Sequence, residues 1–582
     1  MDTSLIDCIM KREYSLVIRN ARVVNVFTGE IIDADIGIAG GKIGEITTDR
    51  GTLHAPVYID AEGQFAIPGL IDSHVHIESS MVTPRWFCAA VVPHGTTTVV
   101  ADPHEIANVL GVEGVRFMHS DSDNLPLQVF LQAPSCVPAV PAFETAGAEI
   151  GAQEVTEMLE FDRALGLGEV MDIAGVINRD PRMMSILSAA AKATRVVSGH
   201  APGLRSKELA AYVAAGPQSD HENLSVDEIL DKIRAGVVVE ARYSSHSESI
   251  SLLAQALESL PSLPTNVVLC TDDTLPTDLM RRGHINHVIS QCVRRGIKPV
   301  DAIRMATWNP AVRFGLTDRG AIAPGKRADI CLVPDLENCE PALVLVGGCE
   351  VARDGRLIIE VQESQVADSV RGTVILPEGL SPESLLIDVP EGRDQVTITA
   401  IHVGEVPLVT ERRTLTLPVR DGKVAVSPEA DVAAVAVVER HGRGGGVGRG
   451  FVSGLNLKEG ALATTVSHDS HNVVVVGYDS SDMWAAVKEV ERIGGGVAFV
   501  CNGEVAARLE LSVAGLMSPR PVPEVASELR SLQRCLTESG IRGDDPLMGF
   551  LILSLPVIPE VRLTNAGLVD VVKQEIIPAV SP

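Results

Sequence analysis

Two histidines, His74 and His76, follow an apolar run and are separated by a single residue. Side chains at positions i and i+2 of a β-strand point to the same side, so both imidazoles can face one ion. A metal site is therefore the first hypothesis, although two ordinary loop or core histidines would give the same pattern. The preceding Pro68-Gly69 pair breaks the chain sharply before the strand.

Further residues of metal-ligand type lie at or just past the ends of other predicted strands. They are Glu169, His200, His221 and Asp272. With the first pair they make four imidazoles and two carboxylates, a set that suits two divalent transition ions better than calcium or magnesium. Two ions about 3.5 to 4 Å apart can share a water and lower its pKa, which makes hydroxide available as a nucleophile. This chemistry would serve hydrolysis of an amide, a lactone, a hydantoin or an amidine-like ring carbon.

The elements that must position these residues occupy the middle of the chain, about residues 61–317. Apolar strands of four to seven residues alternate there with helical stretches, as in βα units around a parallel sheet. About eight such units predict an α/β fold with a (β/α)8 barrel of the TIM type, whose active site lies at the carboxyl ends of the strands. One helix is expected to follow Thr83 and to end at Gly95.

The two flanks of the middle region are rich in short β-branched runs and turns. Residues 1–60, which read as a small antiparallel sheet, and residues 318–370 are therefore predicted to build one β-sandwich from both sides. Residues 371–582 are predicted to form an α+β domain, with a strand, a helix, a second strand and a hairpin within 472–503. The glycine-rich segment 441–450 is interpreted as a loop, because it lacks a Walker lysine followed by Ser or Thr.

Composition narrows the class of partner. The chain of 582 residues has a net charge of −27, which argues against nucleic acid or an anionic membrane and favours a small-molecule substrate. Its ten cysteines show no regular spacing, which indicates a reducing compartment. The first residues show no basic region before an apolar run, and there is no stretch of eighteen apolar residues, so a cytoplasmic location is expected.

The Pro-Gly-Leu-Ile-Asp run before the His-x-His pair resembles the opening of the barrel in the amidohydrolase superfamily, and the whole chain from about residue 15 resembles its adenine deaminases. The matching segments are 74–80, 100–108, 168–171, 198–203, 270–273, 305–307, 309–311, 467–473 and 555–559. The resemblance implies hydrolytic deamination of adenine to hypoxanthine and ammonia by hydroxide addition at C6, in adenine catabolism and purine salvage. It implies manganese or iron as the metal, with zinc as an alternative, and a homo-oligomer that we expect to be a dimer.

The resemblance also assigns roles to single residues. Glu169 is expected to bridge the two ions, in place of the carboxylated lysine of many relatives. Asp272 is expected to act as general base and then acid, although its neighbour Asp273 offers the same chemistry. His104 is expected beside the metals as a proton carrier, whereas its residue type alone also fits a helix cap. Contacts to the adenine ring are expected from Glu78, Arg242 and Asp273.

Several alternatives stay open at this point. The segment 239–246 keeps the arginine of the family but lacks its Leu-Arg-Glu-Gly-Ser wording, so the substrate could be another purine, a pyrimidine or a hydantoin. A metal-binding relative without catalysis is a second alternative, but it would require a broken ligand set. His468 and His471 could reach the barrel mouth or bind another ion, and a structural role is the expectation.

Overall fold

The computed structural model describes residues 4–193, 195–404, 410–543 and 545–581. The chain begins with a helix and five strands: α1 Ser4–Lys11, β1 Leu16–Val24, β2 Ile31–Ala39, β3 Lys42–Thr47, β4 Val57–Asp60 and β5 Phe65–Pro68. Strands β1 to β3 pair antiparallel as predicted, whereas β4 and β5 both run parallel to β1. A register shift between Ile18 and Ala21 joins two predicted runs into the single strand β1, and Asn20 takes a φ of 57° there.

The described residues of the middle region contribute nine strands, all parallel to their neighbours. They are β6 Leu70–His76, β7 Thr96–Ala101, β8 Gln128–Ala133, β9 Ala164–Val170, β10 Val196–Gly199, β11 Ser219–Asp220, β12 Val238–Arg242, β13 Val267–Cys270 and β14 Asp272–Asp273. The order is β10-β9-β8-β7-β6-β14 in one sheet and β11-β12-β13 in another. On one side the two sheets are joined along the chain, because only Thr271 separates β13 from β14. On the other side the Gln218 N–H, just before β11, donates to the carbonyl oxygen of Val197 in β10. The strands thus curl into the predicted barrel.

In the part of the barrel that the structure describes, thirteen α-helices follow or connect the strands. They are α2 Pro84–Val91, α3 His104–Leu110, α4 Val112–Asp121, α5 Ala152–Leu159, α6 Ile173–Asn178, α7 Pro181–Lys192, α8 Ser206–Ala214, α9 Val226–Arg234, α10 Ile250–Glu258, α11 Pro276–Arg282, α12 Ile285–Arg294, α13 Pro299–Met305 and α14 Trp308–Arg313. The predicted helix after Thr83 is confirmed as α2, with Pro84 at its first position. Gly95 ends the following 3-10 turn with a φ of 88°, which a residue with a Cβ adopts only at a cost.

Four strands after the barrel complete the first sheet: β15 Ile330–Val333, β16 Leu343–Val346, β17 Cys349–Arg353 and β18 Arg356–Leu357. Strand β15 pairs antiparallel with β5, so the two flanks of the barrel join in one nine-stranded sheet. The sequence predicts a β-sandwich from these two flanks, and the structure shows that both flanks contribute strands to this one hydrogen-bonded sheet.

The C-terminal region, residues 371–581, combines strands and helices, as predicted. Its strands are β19 Gln395–Val403, β20 Thr410–Arg420, β21 Lys423–Val424, β22 Val432–Val438, β23 Val447–Ser453, β24 Ala461–Thr464, β25 Val473–Gly477, β26 Gly496–Cys501, β27 Glu504–Glu510, β28 Val561–Thr564, β29 Gly567–Asp570 and β30 Glu575–Ile577. Its helices are α15 Ser480–Arg492, α16 Val522–Glu538 and α17 Met548–Leu551. Strands β19 to β27 form one nine-stranded sheet. Asn502 and Gly503 make the predicted turn between β26 and β27, and both have positive φ angles.

Polar contacts fasten the C-terminal region to the barrel. The Trp86 indole N–H donates to the Pro519 oxygen over 2.7 Å, and the Thr145 N–H donates to Asn565 Oδ1 over 2.9 Å. Within the described ranges, no helix is long and apolar enough to span a bilayer.

A buried lysine ties helix α9 to the strand ends that carry two of the predicted metal ligands. Lys232 Nζ donates to Asp220 Oδ2 over 2.6 Å and to Glu228 Oε1 over 2.5 Å, and all three side chains are buried. The two carboxylates also accept the backbone N–H groups of Ala201 and Gly203. The lysine charge therefore supports the loops that follow β10 and β11.

Replacing Lys232 by Met is expected to lower the free energy of unfolding by about 3–5 kcal/mol, because two buried carboxylates lose their cation. Equilibrium denaturation followed by fluorescence measures the change. The matched control is Lys207→Met on the exposed face of α8, which should leave the midpoint unchanged. Equal stability of both variants would contradict this account.

Candidate active site

His74 and His76 end strand β6 and point into the barrel mouth, where their ring centroids lie 4.7 Å apart. His76 Nδ1 lies 2.9 Å from the Asp102 carbonyl oxygen, so Nδ1 carries the proton and the Nε2 lone pair faces the centre of the barrel. The His74 side chain is fully buried, and neither of its nitrogens has a hydrogen-bond partner in the described part of the chain. Such orphaned buried nitrogens call for a ligand.

Glu169, near the end of β9, presents one carboxylate oxygen to each of two histidine pairs. Its Oε1 lies 3.8 Å from His74 Nε2 and 3.3 Å from His76 Nε2. Its Oε2 lies 2.8 Å from His200 Nδ1 and 3.4 Å from His221 Nε2. A carboxylate between two groups of nitrogen donors has the geometry of a bridging ligand.

Asp272 completes the cluster from the opposite side of β6. Its Oδ1 lies 3.6 Å from His74 Nε2 and 3.2 Å from His76 Nε2. Its Oδ2 accepts a hydrogen bond of 2.6 Å from Arg242 Nη1. The structure therefore brings together all six residues that the sequence singles out as metal ligands.

The charges of the cluster suit cations. Burial alone would raise the pKa of Glu169, but His221, His200 and His76 hold that pKa well below its usual range. Burial likewise opposes ionisation of Asp272, and the Arg242 guanidinium holds the pKa of this carboxyl well below normal. Two ionised carboxylates among imidazoles form two overlapping donor groups, so the residues fit a pair of divalent transition ions.

His104 begins helix α3 and lies beside this cluster, with its ring centroid 4.5 Å from that of His76. Its Nδ1 lies 3.5 Å from Glu169 Oε1 and 3.8 Å from Asp102 Oδ1. Its Nε2 lies 3.5 Å from Glu105 Oε1. The ring therefore sits between the proposed metal ligands and a second buried carboxylate.

Glu78 and Asp273, two of the residues expected to contact the ring of the substrate, have their carboxylates at the cavity wall. Glu78 is buried, its Oε1 accepts the Ile106 N–H over 3.2 Å, and its Oε2 has no partner among the described residues. Burial raises the pKa of Glu78 to about 7, so near neutral pH it can either donate or accept a hydrogen bond. Asp273 Oδ1 accepts a hydrogen bond of 2.5 Å from Ser79 Oγ.

Arg242, the third expected ring contact, is committed to two carboxylates. Its Nη2 donates to Glu222 Oε2 over 2.7 Å, and Nη1 donates to both Glu222 and Asp272. Arg242 lines the cavity, but its guanidinium is hydrogen-bonded to Asp272 and Glu222.

A cavity of about 520 Å³ opens over these residues. Its floor is the polar cluster at the carboxyl ends of the barrel strands. Its opposite wall is apolar and comes from the C-terminal region, with Met548, Leu551, Ile552, Leu555, Val557, Ile558 and Pro559. The volume is within the range of small-molecule sites, about 300–1,000 Å³, and an apolar lining with a few polar groups is typical of such sites.

Several residues of the site are not among those that the sequence singles out. Asp102 and Glu105 lie on either side of His104 in the Asp-Pro-His-Glu segment, and Glu222 follows His221 directly, so proximity to a predicted site residue is the signal that could identify them. For His468 the sequence leaves open a structural role and a place at the barrel mouth, and the structure places its Nδ1 at the barrel mouth, 2.6 Å from Glu105 Oε1.

Comparison with known proteins places these features in a family context. Residues 65–351 match the model of the amidohydrolase family, and residues 407–575 match that of the adenine deaminase C-terminal domain. An adenine deaminase from Moorella thermoacetica is 43% identical over 561 residues, covering 95% of this chain and 94% of the relative. Adenine deaminase 2 from Carboxydothermus hydrogenoformans is 42% identical over 572 residues, covering 98% and 97% respectively.

Among solved structures, a β-aspartyl dipeptidase from Fervidobacterium islandicum AW-1 matches with a TM-score of 0.45 and 18% identity. The match covers 59% of this chain and 98% of the dipeptidase.

Proposed function

The chain belongs to the adenine deaminases of the amidohydrolase family, and from this we infer that it hydrolyses adenine to hypoxanthine and ammonia. The observation that supports this function most directly is Glu169, which offers one oxygen to each of two histidine pairs inside a cavity sized for a small molecule. Water adds to C6 of the ring, the bond from C6 to the amino nitrogen breaks, and ammonia leaves.

The ligand groups divide into two halves around Glu169. His74 and His76 would hold one ion with Glu169 Oε1, and His200 and His221 would hold the other with Oε2, while Asp272 faces the first pair. A pair of divalent transition ions supplies a water of lowered pKa at neutral pH when bound. We propose manganese or iron, with zinc as the alternative, because imidazole and carboxylate donors suit these ions.

Asp272 is proposed as the residue that moves the proton. Arg242 holds Oδ2, which leaves Oδ1 turned towards the reacting centre beside His74 and His76. Asp272 would take a proton from the attacking water and deliver it to the leaving amino group. Asp273 is occupied by Ser79, which favours Asp272 for this role.

Binding of adenine is proposed to use Glu78 and Asp273 against the apolar wall. The free Oε2 of Glu78 can pair with a nitrogen at the edge of the ring, since this oxygen has no partner in the described residues. The ring faces would pack against Leu551, Ile552 and Leu555 from the C-terminal region, which also keep bulk water away. His104 would lie beside the leaving amino group.

Protein loaded with manganese or iron is expected to consume adenine and to release one ammonia for each hypoxanthine formed. Dialysis against a chelator should remove this activity, and addition of Mn²⁺ or Fe²⁺ should restore it. Spectrophotometry of the purine together with an ammonia assay measures both. A parallel panel of other purines, pyrimidines and hydantoins tests the alternatives, and no loss of adenine with any metal would refute the proposal.

Three further expectations stay proposals. The structural units are proposed as residues 1–60 with 318–370, residues 61–317, and residues 371–582. A cytoplasmic location is supported by ten cysteines that are all unpaired in the structure. We also propose that the chain forms a homodimer, and analytical ultracentrifugation measures its oligomeric state.

A further inference from the structure

A second cluster of ionisable side chains joins the barrel to the C-terminal region at the cavity. Glu105, near the start of α3, is 3% exposed. Its Oε1 lies 2.6 Å from His468 Nδ1, and its Oε2 contacts His471 Nε2. We call Glu105, His468 and His471 the Glu105 clamp. The spacing of its three groups is also compatible with a metal ion, so the protonation of the histidines decides between two interpretations.

The hydrogen bonds of His471 favour a proton donor over a metal ligand. The Ser467 backbone N–H donates to His471 Nδ1 over 3.1 Å, so this nitrogen has no proton of its own. Burial lowers the pKa of His471, which keeps the ring neutral and puts its single proton on Nε2. A protonated nitrogen cannot bind a cation, but it can donate to Glu105.

The carboxylate that receives these donors lies directly behind His104. Glu105 Oε1 is 3.5 Å from His104 Nε2, and His104 Nδ1 is 3.5 Å from Glu169 Oε1. Burial alone would raise the pKa of Glu105, but His468, His471 and His104 hold that pKa well below normal. A buried, ionised carboxylate needs donors to stay in one position, and His468 and His471 supply them from the C-terminal region.

We propose that Glu105 is a positioning residue that holds the His104 ring against the proposed metal ligands, and that His468 and His471 hold Glu105 in place. The contact between His104 Nε2 and Glu105 Oε1 fixes the orientation of the ring, so that Nδ1 faces Glu169 and the imidazole stays beside the leaving amino group. The C-terminal region is then part of the catalytic apparatus as well as a wall of the cavity. This inference rests on the proposed deamination of adenine.

Two variants of His468 separate donation from packing. In His468→Asn the amide nitrogen can occupy the place of Nδ1 and donate to Glu105, whereas His468→Leu has a similar size and no donor. We expect the Leu variant to lower kcat about 10- to 100-fold, as for loss of an outer partner of an active-site imidazole, with KM nearly unchanged. The Asn variant should retain a kcat close to that of the wild type.

Two variants of His471 repeat this comparison independently. His471→Gln can place an amide N–H near the position of Nε2, and His471→Met fills similar space without a donor. The Met variant is expected to lose kcat as His468→Leu does, and the Gln variant to recover most of it. Elemental analysis should find the same content of divalent metal in all four variants and in the wild type.

A histidine of the same region outside the cavity lining is the control. His402 on β19 is hydrogen-bonded to Ser453 Oγ over 3.0 Å, and His402→Leu should retain the wild-type kcat. Thermal melting identifies any variant that does not fold. If a His471 variant does not fold, the His468 variants still test the inference, because His468 lies at the cavity edge and its side chain is 19% exposed.

Three results would overturn the inference: wild-type kcat in both His468→Leu and His471→Met, equal losses in the donor and non-donor variants, or loss of a bound metal ion from the non-donor variants. The last result would make the Glu105 clamp a metal site. A wild-type protein that does not deaminate adenine would instead refute the proposed function itself.

Discussion

Replacing Glu169 by Gln is expected to abolish adenine turnover and to leave fewer than two divalent ions bound per chain. Glu169 Oε1 faces His74 and His76, and its Oε2 faces His200 and His221. An amide offers a single oxygen, and its nitrogen has no lone pair for a cation. One of the two histidine pairs therefore loses its carboxylate ligand, and the site also loses a negative charge.

The expected loss in kcat is more than about 10³-fold, because bound metal ions lower the reaction barrier by several kcal/mol and each 1.36 kcal/mol of barrier corresponds to tenfold in rate. Elemental analysis after exhaustive dialysis gives the metal content, and the ammonia assay gives the rate. Glu160→Gln, at an exposed position after α5, is the matched control and should keep both. A Glu169→Gln protein with two ions and wild-type turnover would show that Glu169 does not bridge the ions.

Asp272→Asn is expected to lower kcat by about 10² to 10⁴-fold, since an amide cannot accept and return a proton. The neighbouring substitution Asp273→Asn should lower kcat much less than Asp272→Asn does, and it should act mainly by raising KM. The difference follows from orientation, because Asp272 Oδ1 faces the imidazoles of His74 and His76, whereas Asp273 Oδ1 accepts a hydrogen bond from Ser79. Steady-state kinetics on protein of equal metal content separates the two effects.

The opposite ranking, with the larger loss of kcat in Asp273→Asn, would transfer the proton-carrying role to Asp273. Equal losses in the two variants would mean that neither residue acts alone. The sequence distinguishes these neighbours only by resemblance, whereas the hydrogen bonds of Asp272 to Arg242 and of Asp273 to Ser79 give a physical basis for the choice.

The barrel and its six candidate ligands could be predicted from the sequence because the signals are local. Alternating apolar strands and helical stretches give the parallel barrel, and the carboxyl ends of parallel strands meet on one face. Polar residues at those ends, such as Glu169 and Asp272, must then lie close together. Strand direction in the first sheet is not a local property, and the parallel pairing of β4 and β5 with β1 is accordingly absent from the sequence prediction.

The Glu105 clamp could not be predicted, since its partners are far apart in the sequence. Glu105 contacts His468 and His471 across separations of 363 and 366 residues. No period or spacing within one element records such a contact. Arg242 shows the same limit, because the resemblance implies a contact to the adenine ring, whereas the structure pairs its guanidinium with Glu222 and Asp272.

The pairing of β5 with β15 has a consequence for how the chain is made. Strand β5 lies between β1 and β15, so one of its edges has no neighbour until Ile330–Val333 has left the ribosome. The complete barrel sequence is translated in that interval. An open strand edge is a template for pairing with other chains, and prematurely terminated products that end within the barrel should therefore aggregate, whereas chains that extend past β15 close this edge themselves.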